Sequence, residues 1–493
     1  MGTFRKQFKS IVILSFLVLM IGQWNAAFGG TTGTLAGTVT DGKSGEPLQG
    51  ANVVILGTNL GTMVGPDGFF LINNVPPGTY RVRASMMGYV SETKEKVRIN
   101  IDLRSTADFA LSPTVLEFEE ITVTAEPPLI QKDITSSTHF VSSRDLAHKP
   151  FRSFQEVVDI QPGVTAGHFR GGRRTEVIYL VDGIPIQEAI EGVAGSEIPN
   201  NAITEVSVQT GGFNAEYGRA MSGVVNVVTK EGGSEHHGQI STYSEWLPTW
   251  SIRNLEKTFP FLSEYLPDQL SGHPSYFDDG SFDDENYYEL FLGGPLTAKT
   301  RYFLSTNLYS PYSRWRKEIL SYRTQTFADQ NAKKQNALGK LSLGLSDAFK
   351  LNLQGHLSLW DWTEYEHRWK YNLQGLPPRS RKSYQVSSIL THTLNSRSFY
   401  TLKLSQYYVL KSVLGKESLD YEHLYVVDGD TLPYNTNSEG WIVAGEKMWW
   451  QDHKEVITTT KLEGTSQVTP HHQIKSGLEF IYYDLYLKDV KYK

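Results

Sequence analysis

From residue 238 to residue 493 the chain repeats one pattern: a strand-length segment, then a connection that is tight and long by turns. The segments read as 238–246, 285–293, 300–310, 333–345, 349–360, 383–394, 397–410, 455–467 and 472–485. Their side chains alternate at period two, the mark of a strand with one apolar and one wet face. Leu351, Leu353, Leu357 and Leu359 lie opposite Asn352, Gln354, His356 and Ser358. Leu341, Leu343 and Leu345 lie opposite Lys340 and Ser342, and Ile474, Leu478, Phe480 and Tyr482 opposite Lys475 and Glu479. Connections 294–299, 346–348, 395–396 and 468–471 are tight, whereas 247–284, 311–332, 361–382 and 411–454 are long. Short turns at one rim and long loops at the other belong to an antiparallel barrel with lipid outside and water inside; a soluble sandwich has no reason for them. Trp360, Trp362, Tyr407, Tyr408, Tyr482 and Tyr483 fall near the long-loop ends and are expected to form an interfacial girdle.

The composition agrees: 39% hydrophobic, 12% aromatic and 43 glycines suit many half-wet strands better than an α/β enzyme. A net charge of −6 gives no footprint for nucleic acid. Without cysteine there is no disulfide framework, thiolate metal site, cysteine nucleophile or cysteine lipid anchor. Arg5, Lys6 and Lys9 precede the apolar run 11–21, and Ala26, Ala27, Gly29 and Gly30 follow, so residues 1–30 read as a secretory signal peptide. That run is short of the roughly 20 residues of a spanning helix. No other apolar run is longer, which leaves a barrel as the way across a membrane.

Residues 32–113 carry strand patterns every ten residues or so with turn chemistry between, including Asp67-Gly68 as a hairpin signal between 63–64 and 69–72. They predict a β-sandwich of about seven strands. None of the thirteen histidines begins an HxxE or HExxH and none lies in this stretch, so no zinc hydrolase site is expected. Residues 114–133 form a linker. Within it Ile121, Thr122, Val123, Thr124 and Ala125 have high β propensity, and Pro127 and Pro128 keep the segment out of a central strand. Such a peptide either adds to another protein's sheet edge or packs as a linker strand on the sandwich.

Residues 134–233 read as a small α+β domain, with short helices at 143–147 and 153–160 and strands at 176–181, 203–209 and 224–229. Ser153 and Glu156 have capping-box spacing. Asp182-Gly183 and Gly211-Gly212 mark turns. Arg170, Arg173, Arg174 and Arg219 stand among glycines, either as an anion or substrate site or as structural pairs.

The stretch 211–230, GGFNAEYGRAMSGVVNVVTK, with VIYLVDGIPI at 177–186 and GHFRGGRR at 167–174, resembles the plug domain of TonB-dependent outer-membrane receptors. The likeness runs in order from leader to early barrel, and residues 32–113 resemble the carboxypeptidase regulatory-like domain placed before Bacteroidetes-type plugs. It implies a mainly β protein: N-terminal β-sandwich, small α+β plug, and the first part of an antiparallel transmembrane β-barrel over 238–493. A plug of this size calls for a lumen like that of 22-stranded transporters. Nine strands are too few, so an N-terminal fragment or a truncated product is expected. The plug motif is then Arg170, Gly171, Gly172, Arg173, Asp182, Gly183, Gly211, Gly212, Tyr217, Gly218, Arg219 and Gly223, with the arginines expected to pair with carboxylates on the barrel wall. Residues Ile121 to Ala125 match the TonB box in position and character. The implied function is energy-coupled uptake of a glycan, siderophore or peptide, without catalysis, cofactor or metal. The alternative is a surface receptor or adhesin of the same architecture that moves nothing. Implied partners are TonB with its inner-membrane ExbB and ExbD complex, outer-membrane lipid and a surface substrate-binding lipoprotein. The implied place is the outer membrane of a Gram-negative-type cell, with sandwich and plug facing the periplasm.

Overall fold

The computed structural model describes residues 32–113, 121–124, 136–147, 151–244, 286–310, 316–318, 324–326, 333–414, 434–469 and 472–491, less 59, 152, 214–216, 219, 347, 396, 446 and 448. The described chain is mainly β. In the first domain Gly33–Asp41 pairs antiparallel with Phe69–Val75 and parallel with Arg104–Thr106 and Phe109–Leu111. The facing sheet runs Gly61–Met63, Asn52–Ile55, Gly78–Ser85, Glu92–Ile99 and Ile121–Thr124 in that order. Leu35, Val39, Val53, Ile55, Phe70, Val82 and Ile99 fill the space between.

The Asp67-Gly68 turn forms, with the Gly68 N–H donating to the Gly65 carbonyl at 3.0 Å, but its arms do not make a hairpin. Gly61–Met63 pairs with Asn52–Ile55, while Phe69–Val75 crosses to Gly33–Asp41. Val64, Phe70 and Ile72 all enter the shared core. Closing two sheets over that core buries more apolar surface than one local ribbon does, so burial overrides the turn's local preference.

The second domain is a five-stranded sheet ordered Thr138–Ser142, Ile203–Gln209, Gly223–Thr229, Val177–Val181 and Ile184–Pro185. The first of these strands was not expected from the sequence. Gly223–Thr229 runs parallel to Val177–Val181, antiparallel to Ile203–Gln209, and is buried along its whole length, which explains its valine-rich run. The helices Ser143–Ala147 and Phe154–Asp159 flank the sheet, the second capped by Ser153, whose Oγ accepts the Glu156 N–H at 3.4 Å.

Nine strands, counted among the described residues, make the wall: His237–Ser244, Asn286–Thr297, Thr300–Ser310, Lys333–Gly344, Phe349–Thr363, Pro378–Asn395, Ser398–Val413, Trp449–Gln467 and Gln473–Lys491. Each lies antiparallel to the next in chain order. The last two have 19 residues each, about twice the length that a tilted strand needs to cross a bilayer. No helix among the described residues is long and apolar enough to cross a membrane. Asn336, Lys340, Gln354, His356 and Ser358 are buried toward the second domain, while Leu353 and Leu357 are exposed on the outer face.

This parity corrects the aromatic girdle. Trp360 and Trp362 share the inward face with His356 and Ser358, and Lys334 Nζ and the Arg381 guanidinium lie 4.3 and 4.9 Å from the Trp360 ring. Tyr407 is buried against the second domain, whereas Tyr408 stacks with Tyr384 at 4.6 Å on the opposite face of the sheet. Tyr482 is exposed, and Tyr483 lines a cleft of about 400 Å³ beside Ile178 and Leu180. Adjacent residues of a strand point to opposite faces, so nearness to a loop end in sequence cannot group them.

Candidate functional site

Buried polar and charged groups gather where the second domain meets the wall. The first is built on a two-residue turn: Asp182 and Gly183 have φ of 50° and 73°, and they join Val177–Val181 to Ile184–Pro185. Two positive φ values in succession are the type I′ geometry that Asp-Gly favours. The Gly183 N–H donates to Asn226 Oδ1 at 3.2 Å, which accounts for the single polar residue inside the central valine strand. Asp182 accepts from the Thr229 N–H at 3.0 Å, from Thr229 Oγ1 at 2.6 Å and from Lys340 Nζ of the wall at 2.9 Å.

The second is the segment 187–197, which leaves the sheet and is gripped by five wall strands. Glu188, its side chain fully buried, pairs with Lys411 and stands 3.7 Å from Arg381. Burial pushes the Glu188 carboxyl up, and the charges of Lys411 and Arg381 oppose that push. Glu455 of the wall accepts the N–H groups of Ala189 at 2.7 Å and Ile190 at 3.1 Å. Ser196 Oγ bonds Ser383 Oγ at 2.6 Å and the Tyr407 hydroxyl at 3.0 Å, and Glu197 pairs with Lys334 at 2.8 Å. Past the sheet, Glu231 pairs with Lys350 at 2.6 Å.

The direction of these pairs reverses the expectation. Carboxylates on the inner domain meet cations on the wall, and the arginines of the glycine-rich motif are elsewhere. Arg170 is exposed at φ 48° and donates to Ser137 Oγ at 2.7 Å, where Ser137 also bonds the Gly211 carbonyl. Arg173 is exposed and its N–H donates to Glu176 at 3.0 Å; Arg174 is exposed beside Gly167. Arg219 lies outside the described residues. Wall carboxylates are occupied in other ways: Glu455 by backbone N–H groups and Glu463 by Lys403 and Lys461 of the wall itself. Charge in a plug–wall joint can be placed on either side with equal electrostatic benefit, so residue type alone could not assign it.

The rest of the motif divides between two tasks. Gly171 and Gly212 adopt positive φ, and Gly172 and Gly223 admit close neighbours, the latter the Phe169 ring. Gly218 has open space around it. Tyr217 packs with Ile178, Leu180 and Val224, and its hydroxyl reaches Asp102 of the sandwich at 3.4 Å. Asp102 also accepts from Lys475 of the wall at 3.2 Å, and Glu205 accepts the Ile101 N–H at 3.0 Å. The sandwich is therefore seated on both plug and wall through residues 101–102. Ile121, Thr122, Val123 and Thr124 pair parallel with Glu92, Thr93, Lys94 and Glu95, and Ala125 lies outside the described residues.

Sequence reasoning missed Glu188, Ser196, Glu197, Glu205, Lys340, Lys411 and Glu455. A signal existed for the wall members, which are charged residues set among the Ser, Thr, Asn and Gln of the inward faces, alongside buried residues such as Leu338, Tyr407, Val409 and Ile457. Glu205 had none, being one acid in an alternating strand.

The family described as the carboxypeptidase regulatory-like domain matches residues 34–112, and the TonB-dependent receptor plug domain matches residues 130–225. The TonB-dependent transporter Oar of Myxococcus xanthus is 27% identical over 244 residues, 45% of this chain and 22% of that protein. The TonB-dependent receptor SusC of Bacteroides thetaiotaomicron is 29% identical over 218 residues, 40% of this chain and 21% of that protein. The chain spans about a fifth of the length of these curated relatives. Among solved structures, the ferric enterobactin receptor of Pseudomonas aeruginosa aligns over 72% of this chain and 59% of its own, at 14% identity and a TM-score of 0.44. The chain thus carries a carboxypeptidase regulatory-like domain followed by a TonB-dependent receptor plug domain, and the relatives it is similar to are named as TonB-dependent transporters and receptors.

Proposed function

We propose that this protein takes up a substrate across the outer membrane by displacement of its plug, driven by TonB with its ExbB and ExbD partners through residues Ile121 to Ala125. The observation that carries the reading is the nature of the plug's attachment. Along 182–197 the plug is held by separable polar ties, among them Asp182–Lys340, Glu188–Lys411 and the two N–H bonds to Glu455. Such ties fix position and register, and once pulled apart they can be remade, because water replaces each partner. This segment, the hook, precedes Thr138–Ser142, an edge strand of the plug sheet, so tension on it reaches that edge first. No covalent chemistry is asked of the chain. Among its relatives are proteins named as a vitamin B12 transporter and a ferric enterobactin receptor, and the substrate classes proposed here are a glycan, a siderophore or a peptide. A surface lipoprotein partner, surrounding outer-membrane lipid, and a sandwich and plug facing the periplasm complete the reading.

The test is Val123→Pro, which removes a backbone donor and restricts the residue before it. Uptake should fall with surface expression and ligand binding intact. Equal uptake by mutant and wild type at matched expression would sink the coupling, and would leave the non-transporting receptor as the better reading.

A further inference from the structure

The hook is not free. Ile121, Thr122, Val123 and Thr124 form a parallel ladder with Glu92, Thr93, Lys94 and Glu95, completing one sheet of the sandwich as its fifth strand. Among the described residues the ladder runs to Glu95, beside Lys96, where φ is 60° and the pairing of Glu92–Ile99 with Gly78–Ser85 shifts register. The edge of the sandwich thus offers these four residues a partner strand.

We propose that the sandwich is the holder of the hook: its edge strand Glu92–Ile99 binds Ile121–Thr124 and competes with TonB for the same backbone groups. This rests on the reading of residues Ile121 to Ala125 as the TonB-binding segment. A peptide recognised by strand addition has one free set of N–H and C=O groups to offer on each edge, and the set facing Glu92–Glu95 is taken. TonB affinity is then reduced by the fraction of time the hook spends away from the sandwich. The sandwich gains as well, because an unpaired edge is covered. Its seat on the plug, through Ile101–Glu205 and Asp102–Tyr217, keeps the holder beside the segment it holds.

The chain has no native cysteine, so Lys94→Cys with Val123→Cys places a single pair at facing positions of the ladder. Membranes carrying the variant are oxidised, and capture of the TonB periplasmic domain is measured before and after reduction. A synthetic peptide of residues 114–135 is measured against the same TonB domain. The expected result is a disulfide, loss of TonB capture by about tenfold or more that reductant restores, and a free peptide that binds more tightly than the intact chain. No disulfide, or a disulfide with unchanged capture by a chain whose peptide does bind, overturns the holder and leaves the hook reading standing. A peptide that does not bind TonB at all overturns the proposal by removing the hook reading beneath it. Reduced variant and wild type capturing TonB equally shows that the substitutions themselves are harmless, so that loss on oxidation is assigned to the bond.

Discussion

Lys340 Nζ of the wall lies 2.9 Å from Asp182 Oδ2 of the plug, with each side chain only 4% exposed. A buried pair of this kind adds little over apolar packing, yet removing one partner strands the other charge away from water. Asp182→Asn alone should therefore loosen the plug by about 3–5 kcal/mol. Asp182→Asn with Lys340→Met, which removes both charges, should recover part of that loss. Onset temperature for proteolysis within the plug measures both; equal onsets for Asp182→Asn and wild type would mean that the pair is not a tie.

Glu205 makes the seat of the sandwich sensitive to pH. Its side chain is 3% exposed, and burial pushes its carboxyl up to about 7, with the Ile101 N–H bond and the charge of Arg98 opposing. When the sandwich lifts away, the carboxyl meets water and returns to its ordinary value of 4.5. The docked form thus binds the extra proton between those values, and docking weakens as pH rises through that window, by up to about tenfold per unit. Above it the dependence levels off. Spin labels at exposed Met87 and Met221, each changed to cysteine, should give a broader distance distribution at pH 8 than at pH 5. Glu205→Gln keeps an acceptor for Ile101 and should abolish the change.

Gly223 begins the central plug strand against Phe169, and a Cβ placed there would stand 2.3 Å from the ring. Phe169 is fully buried and cannot turn aside. Gly223→Ala should cost about 1–3 kcal/mol through overpacking. Gly218, with nothing within 4 Å of a new Cβ, serves as the comparison, and Gly218→Ala should unfold like wild type in the same denaturant titration.

Glu455 holds the Ala189 and Ile190 N–H groups from the wall. Glu455→Ala leaves both donors and the buried His453 without their carboxylate, so the segment 187–197 should loosen on the wall at a cost of about 1–3 kcal/mol. Hydrogen exchange at Ala189 and Ile190 is the readout. Protection equal to wild type would show that other contacts hold the segment.

The sequence by itself determined the wall. Period-two alternation and connections of alternating length are local properties, and they placed the strands with the right parity, down to Leu353 and Leu357 outside and Gln354 and His356 inside. Asp182-Gly183 was legible as a turn because only a few residue pairs tolerate two positive φ values. What tertiary structure decided was partnership across long sequence separation. The Asp67-Gly68 turn joined two sheets, Trp360 and Trp362 faced inward, and the plug offered carboxylates to wall cations through Glu188, Glu197 and Asp182 where arginines were expected to meet acids. Residues Ile121 to Thr124 read equally well as a free hook or a linker strand, and the fold put them on Glu92–Glu95. Each is a choice between arrangements that local propensity ranks alike. Burial of a shared core, and the need to satisfy every buried charge and edge, made the choice.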